Sequence, residues 1–147
     1  MTLNAAGAIV IREARPSDAA SWERLRRQLW PDGANDHAPE IAMFFAGHSF
    51  RDLAAVLMAE RNGAIAGFAE LSVRDDVPGL LGKRTGYVEG LYVVPELRQR
   101  AIAVKLLQAS RRWAHEQKCE AFASDRAERI VIDKSFGKER SASLEVS

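Results

Sequence analysis

Gly86-Tyr87-Val88-Glu89-Gly90-Leu91-Tyr92-Val93-Val94-Pro95-Glu96-Leu97-Arg98-Gln99-Arg100-Ala101-Ile102-Ala103 is the stretch whose reading decides the fold. Through Val94 it is an apolar run of β-branched and aromatic residues, and Pro95 stops it. A short basic loop and a run of small and aliphatic residues follow, so the order reads as strand, loop, helix. Glu89 sits inside the strand, while Arg98, Arg100 and backbone N–H groups stand where the helix begins. A helix N-terminus attracts anions through its free N–H groups and its dipole. The stretch predicts an anion held by the loop beside a base on the strand.

Downstream, Ala101 to Gln117 places Ile102, Leu106, Leu107, Ala109, Ser110 and Trp113 at helical spacing, which predicts a helix packed on a sheet. Glu120 to Ser124 reads as a short fifth strand with Asp125 at its end. Arg126 to Phe136 reads as a weak helix, followed by a turn at Gly137-Lys138 and at most a short strand near Ala142 to Val146.

Upstream, Ala8 to Ala14 alternates as a first strand, and Pro16-Ser17-Asp18 supplies a turn and an N-cap. In the helix from Ala19 to Trp30 the apolar positions Trp22, Leu25, Leu29 and Trp30 share a face, and Arg24, Arg26, Arg27 and Gln28 point elsewhere. Pro31-Asp32-Gly33 ends it, and a second helix is expected near Pro39 to Gly47. Leu53 to Glu60 and Ala64 to Val73 flank Arg61-Asn62-Gly63, a hairpin signal because Asn and Gly tolerate positive φ. Asp75 to Lys83, with its proline and glycines, reads as a long loop of the kind that lines sites. The order β-α-α-β-β-β-α-β predicts an α/β (α+β) mixed sheet flanked by helices.

A chain of 147 residues is the size of one domain, here 1–147, with the part from about 126 atypical. A formal charge of +1 supplies no global basic field, so nucleic acid is not expected as a partner and any anion site is local. The single cysteine, Cys119, has no partner for an intramolecular disulfide or a thiolate metal site and reads as a buried hydrophobe. His37 and His48 lack metal-ligand spacing, so no metal is expected. The apolar piece Ala5 to Ile11 has no basic flank before it and is too short to span a bilayer, so the expected location is cytoplasmic, without a membrane partner.

The element order and Arg98-Gln99-Arg100-Ala101-Ile102-Ala103 resemble the acetyl-coenzyme-A-binding signature Gln/Arg-x-x-Gly-x-Gly/Ala of the GNAT N-acetyltransferase superfamily. Arg26-Arg27-Gln28-Leu29-Trp30-Pro31, Ala66-Gly67-Phe68-Ala69, Val88-Glu89-Gly90-Leu91-Tyr92-Val93-Val94-Pro95 and Phe122-Ala123-Ser124-Asp125 resemble, in that order, its aminoglycoside 6′-N-acetyltransferases. The resemblance covers roughly Ile11 to Asp125 and implies a GNAT-like fold, acetyl-CoA as cosubstrate, direct attack of an amine on the thioester, and a homodimer.

It further implies that Arg98, Gln99, Arg100, Ala101, Ile102 and Ala103 receive the pyrophosphate, and that Leu91, Tyr92 and Val93 offer backbone hydrogen bonds to the pantetheine arm. A backbone N–H near Leu91 or Tyr92 would face the developing oxyanion. Glu89 would bind the substrate ammonium and draw off its proton, directly or through water. Asp125 and Trp30 would contact the aminoglycoside. Plainer roles stand beside these: arginines solvating a helix start, Glu89 paired with a surface Arg, Asp125 capping a following helix, Trp30 in the core. Asp32, Asp36, Glu40, Asp75 and Asp76 add acidic loop charge suited to a polycationic ligand.

Two departures stand out. Ala101 occupies the signature's glycine position, where a Cβ crowds a pyrophosphate and a positive φ would cost about 1–2 kcal/mol. Past Asp125 the family pattern fades, and no tyrosine follows Tyr92 to reprotonate the CoA thiolate. These departures keep two other readings open: a GNAT enzyme for another amine, or a degenerate homologue that binds CoA or aminoglycoside without turnover.

Overall fold

The computed structural model describes residues 7–31, 37–48, 52–98, 101–127 and 129–137. Its strands are β1 (Ile9–Glu13), β2 (Leu53–Arg61), β3 (Ala64–Arg74), β4 (Thr85–Val93), β5 (Ala121–Arg126) and β6 (Arg129–Ile132). Its helices are α1 (Ala19–Leu29), α2 (His37–Phe45) and α3 (Ile102–Glu116). The strands form one sheet in sequence order, antiparallel throughout except for the parallel pair β4–β5.

The expected hairpin is present: Arg61 pairs with Ala64, and Asn62 and Gly63 take φ of 55° and 80° in the turn. The strand-helix-strand crossover β4-α3-β5 is also as expected and generates the parallel pair. The two faces of the sheet carry different layers. Ile102, Leu106, Ala109 and Trp113 of α3 pack on Leu57, Ala69, Leu71 and Val88. Trp22 and Leu25 of α1 and Ile41 of α2 pack on Val56, Met58, Phe68 and Tyr92. Side chains alternate across each strand, so β4 serves both layers at once. No helix among the described residues is long and apolar enough to cross a membrane.

Three local expectations are corrected. Arg26 does not point away from the core: its guanidinium is 1% exposed, because Glu70 and Glu40 meet it with negative charge. Asp18 stands at the N-cap position of α1, as expected, but its side chain makes no capping hydrogen bond to that helix. Its carboxylate is taken by Arg12 at 2.8 and 3.0 Å and by the Arg15 N–H at 2.7 Å.

In place of the helix expected over Arg126 to Phe136, Arg126 ends β5, Arg129 to Ile132 form β6, and helical conformation begins only at Phe136 and Gly137. Ile130, Val131 and Ile132 are β-branched, a class that packs well on a pleated surface, and they form β6 against β5. Ala127 at φ 50° begins the tight turn between these strands. Asp133 then turns the chain, accepting the Ser135 N–H at 3.0 Å, and Phe136 is buried between His115, 4.0 Å away, and Phe122, 5.7 Å away. Burying a side chain of that size is worth roughly 1.5–3 kcal/mol, enough to fix the tail against α3. The strand expected near Ala142 to Val146 lies outside the described residues.

Candidate active site

The site follows from one interruption of the sheet. β4 and β5 pair from Thr85 opposite Ala121 to Val88 opposite Ser124, and β4 then runs on to Val93 without a β5 partner. The strands part there, and a cleft of about 760 Å³ opens between Val88 to Leu91 on one side and Ser124 to Ala127 on the other. Leu29 and Trp30 from the end of α1, and Ala103 and Leu107 from α3, complete its walls.

At the same point β4 carries an extra residue. Glu70 pairs with Gly90 and Leu71 with Val88, so Glu89 has no opposite number on β3. Such a bulge re-aims a side chain and shifts the inside-outside alternation by one. Val88 and Leu91 pack with the α3 cluster, whereas Gly90 and Tyr92 face the α1 side, where Trp30 lies against Gly90 and Tyr92 joins the α1 cluster. Glu89 is thereby presented at the mouth of the cleft while the hydrophobic pattern on both sides of it is preserved.

The Glu89 carboxylate is held by three donors. Ser72 Oγ donates to Oε2 at 2.5 Å, and Arg74 donates through Nε to Oε2 at 2.7 Å and through Nη2 to Oε1 at 2.8 Å. That two-pronged contact with Glu89 holds the Arg74 guanidinium above its ordinary value. A second, polar cavity of about 290 Å³ adjoins, lined by Asp52, Ser72, Val73, Arg74, Asp75, Asp76 and Glu89. Two of the acidic loop residues, Asp75 and Asp76, are thus brought beside Glu89.

Asp125 lies within β5, opposite Ile130 of β6, and no helix follows it, so its capping role falls away among the described residues. It lines the cleft and accepts the Tyr87 hydroxyl at 2.5 Å. Burial and the hydrogen bond to Asp125 push the Tyr87 phenol well above its usual range. Trp30 also lines the cleft, and a Cβ on Gly90 would come within 2.6 Å of its ring. Glycine at that position is what permits the indole to lie on the strand.

Of the expected anion loop, Gln99 and Arg100 lie outside the described residues. Arg98 is spent partly within the fold, its Nε donating to the Val93 carbonyl at 2.8 Å and its guanidinium lying 5.1 Å from the centre of the Tyr92 ring. Ala101 has φ 61° and ψ 19°, the left-handed conformation that glycine adopts without strain, directly before α3. Ile102 is fully buried under the helix, whereas Ala103 faces the cleft. Leu91, Tyr92, Val93, Arg98 and Ala103 line a further cavity of about 540 Å³, which shares Leu29, Leu91 and Ala103 with the larger cleft. A groove therefore runs along β4 from Glu89 toward the start of α3. The Tyr92 side chain itself belongs to the α1 layer, donating to Gln28 Oε1 at 2.5 Å.

Three groups important to the site carry no obvious sequence signal. Ser72 and Arg74 stand two apart at the end of β3, a spacing that puts both on one face of a strand, but their partner is set by the register with β4. Glu70 sits in an apolar run, and its role is visible only with its partners: Trp22 Nε1 donates to it at 2.9 Å and Arg26 Nε at 2.6 Å. Arg26 also donates to Glu40 at 2.5 Å and to His37 Nδ1 at 3.1 Å, and its guanidinium lies 5.1 Å from the Trp30 ring. Burial opposes the Arg26 charge, yet Glu70 and Glu40 outweigh it and hold the group above its usual value. This network ties α1, α2 and β3 together directly behind Trp30.

Comparison with known proteins places these features in context. Residues 19–131 match the sequence model of the Acetyltransferase (GNAT) family. An aminoglycoside N(6′)-acetyltransferase type 1 of Klebsiella aerogenes is 38% identical over 117 residues, covering 79% of this chain and 77% of the relative. A protein of the same name from Stenotrophomonas maltophilia is 37% identical over 82% of this chain and 76% of its own. The crystal structure of aminoglycoside N-acetyltransferase AAC(6′)-Iy in complex with CoA superposes with a TM-score of 0.72 at 30% identity, covering 95% of this chain and 84% of that one. The same enzyme in complex with the bisubstrate analogue CoA-S-monomethyl-acetylneamine gives 0.72 at 29% identity, over 93% of this chain and 89% of that one.

Proposed function

The chain belongs to the GNAT family of acetyltransferases, and on that premise we propose that it transfers the acetyl group of acetyl-CoA to the 6′-amine of an aminoglycoside. The observation that supports the acceptor most is the placement of two carboxylates, Glu89 and Asp125, on the two strands that part to form the cleft. Relatives at 37–38% identity are named for that reaction, and a neighbour of the same fold binds a CoA–neamine bisubstrate.

The groove fits acetyl-CoA in its own features. β4 beyond Val88 offers main-chain groups on the side that β5 has vacated, as a pantetheine arm requires. The first turn of α3 has N–H groups suited to a pyrophosphate, with Ala103 and Leu107 as an apolar flank. Acetyl-CoA brings an activated thioester, and the residues of this chain bind, orient and move a proton. A main-chain N–H near Leu91 or Tyr92 stabilises the oxygen that gains charge. Glu89 attracts the ammonium and accepts its proton, directly or through water. Asp125, fixed by Tyr87, supplies a second negative charge, and Trp30 gives a flat wall for a sugar ring.

Homodimerisation is part of this reading, and β6 supports it as the outer strand of the sheet among the described residues, with Ile130 40% exposed. Sedimentation at micromolar concentration should return twice the chain mass, and a clean monomer would remove the dimer. The reaction itself is tested by following thiol release from acetyl-CoA with neamine or kanamycin as acceptor. Turnover is expected; release with simple polyamines or peptide N-termini alone would assign another acceptor, and binding of neamine without release would assign a non-catalytic homologue.

A further inference from the structure

We propose that Arg74 is an internal stand-in for the acceptor ammonium, occupying Glu89 in the free protein and leaving that carboxylate when a polycationic amine binds. The inference rests on the reading above, in which Glu89 meets the acceptor amine.

Glu89 is the group that must face the incoming cation, yet two of its three contacts are to the Arg74 guanidinium. Those contacts are placed for exchange. The Arg74 side chain is 41% exposed at the end of β3, so its guanidinium can turn from Glu89 to water or to another carboxylate without being left buried and unpaired. Arg26 and Glu70, each 1% exposed, form the opposite kind of pair in the same protein.

Arg74 also has a second place to go. Its Nη1 is already 4.0 Å from Asp76 Oδ1, and its guanidinium lies 4.6 Å from the centre of the Tyr87 ring. A guanidinium over an aromatic face keeps part of its stabilisation while its charged edge turns from one carboxylate to another. Ser72 Oγ keeps its own hydrogen bond to Glu89 Oε2, so the carboxylate stays aimed after Arg74 leaves. The adjoining cavity gathers Asp52, Asp75 and Asp76 around the same point, and one internal cation offsets this negative charge until the ligand's amines do. Arg74 is in these terms a specificity-determining residue: it competes with every ligand, and one carrying several positive charges displaces it best.

Calorimetric titration of neamine into the wild type, Arg74→Gln, Arg74→Met and Arg74→Lys, paired with steady-state kinetics, tests this. Without the competing cation, Arg74→Gln and Arg74→Met should bind neamine about five- to tenfold more tightly, because a ligand gains affinity when its competent state is no longer a fraction of the population. KM for neamine should fall in parallel, and Arg74→Lys, which keeps a cation, should stay close to the wild type in both affinity and KM. Arg74→Met keeps an apolar stem over Tyr87 and serves if Arg74→Gln fails to fold. Unchanged or weaker binding by these variants, with the wild type binding neamine, overturns the role of Arg74 and leaves the acceptor reading standing. No binding by any of the four proteins overturns the acceptor reading and this inference with it.

Discussion

Arg26 Nε lies 2.6 Å from Glu70 Oε2, and both side chains are 1% exposed, so α1 and the central strand β3 are joined by an ion pair with almost no access to water. Both groups also have further partners, Trp22 on Glu70 and Glu40 on Arg26, which satisfy the desolvated charges. The pair lies behind Trp30 and gives the cleft wall a fixed backing.

Removing one partner of such a pair leaves an uncompensated buried charge. Glu70→Gln is therefore expected to lower the unfolding free energy by about 3–5 kcal/mol in urea titration, and Arg26→Met/Glu70→Leu to recover most of that loss. A single-variant loss below about 1 kcal/mol would show that the pair carries no such weight.

Ala101 occupies a glycine's conformation at φ 61°. Ala101→Gly is expected to raise stability by about 1 kcal/mol in the same titration, and to lower the Kd for acetyl-CoA by removing the methyl group from the pyrophosphate's approach. Unchanged stability together with unchanged Kd would contradict the crowding.

Asp18 makes the stability depend in part on acid. Its hydrogen bonds from Arg12 outweigh burial and hold its pKa below the ordinary 3.8. A lowered folded-state pKa contributes stability that is fully present above the unfolded value and is lost as pH falls through the folded one. The melting temperature should accordingly fall more steeply on acidification below about pH 4 in the wild type than in Asp18→Asn, which should already be less stable at neutral pH. Parallel acid limbs for the two proteins would be the contrary result.

The legibility of these features divides by range. The helix α3, the Asn62-Gly63 hairpin and the strand-loop-helix order are written in local periodicity and turn chemistry, and the structure has them within a residue or two. Glu89 is legible as a carboxylate inside the strand beside the basic loop, and the resemblance adds Trp30 and Asp125; all three line the cleft, but what holds them is not written locally. Those holders, Ser72, Arg74 and Tyr87, depend on strand register and a bulge, which no local pattern encodes. Arg26 departs from the outward face expected of an arginine in an amphipathic helix because its burial is decided by carboxylates 44 and 14 residues away. Arg129 to Ile132 lies inside the stretch expected to form a weak helix, yet its β-branched run pairs with β5.

In the proposed reaction Glu89, on the bulge where β4 and β5 part, receives the acceptor's cationic amine and its proton. Steady-state acetylation of neamine or kanamycin by Glu89→Gln, with acetyl-CoA saturating, tests this role. The predicted result is a fall in kcat/KM of about 10²–10⁴-fold with the fold intact by circular dichroism. A Glu89→Gln enzyme within about twofold of the wild type in kcat and KM across the pH range would contradict it.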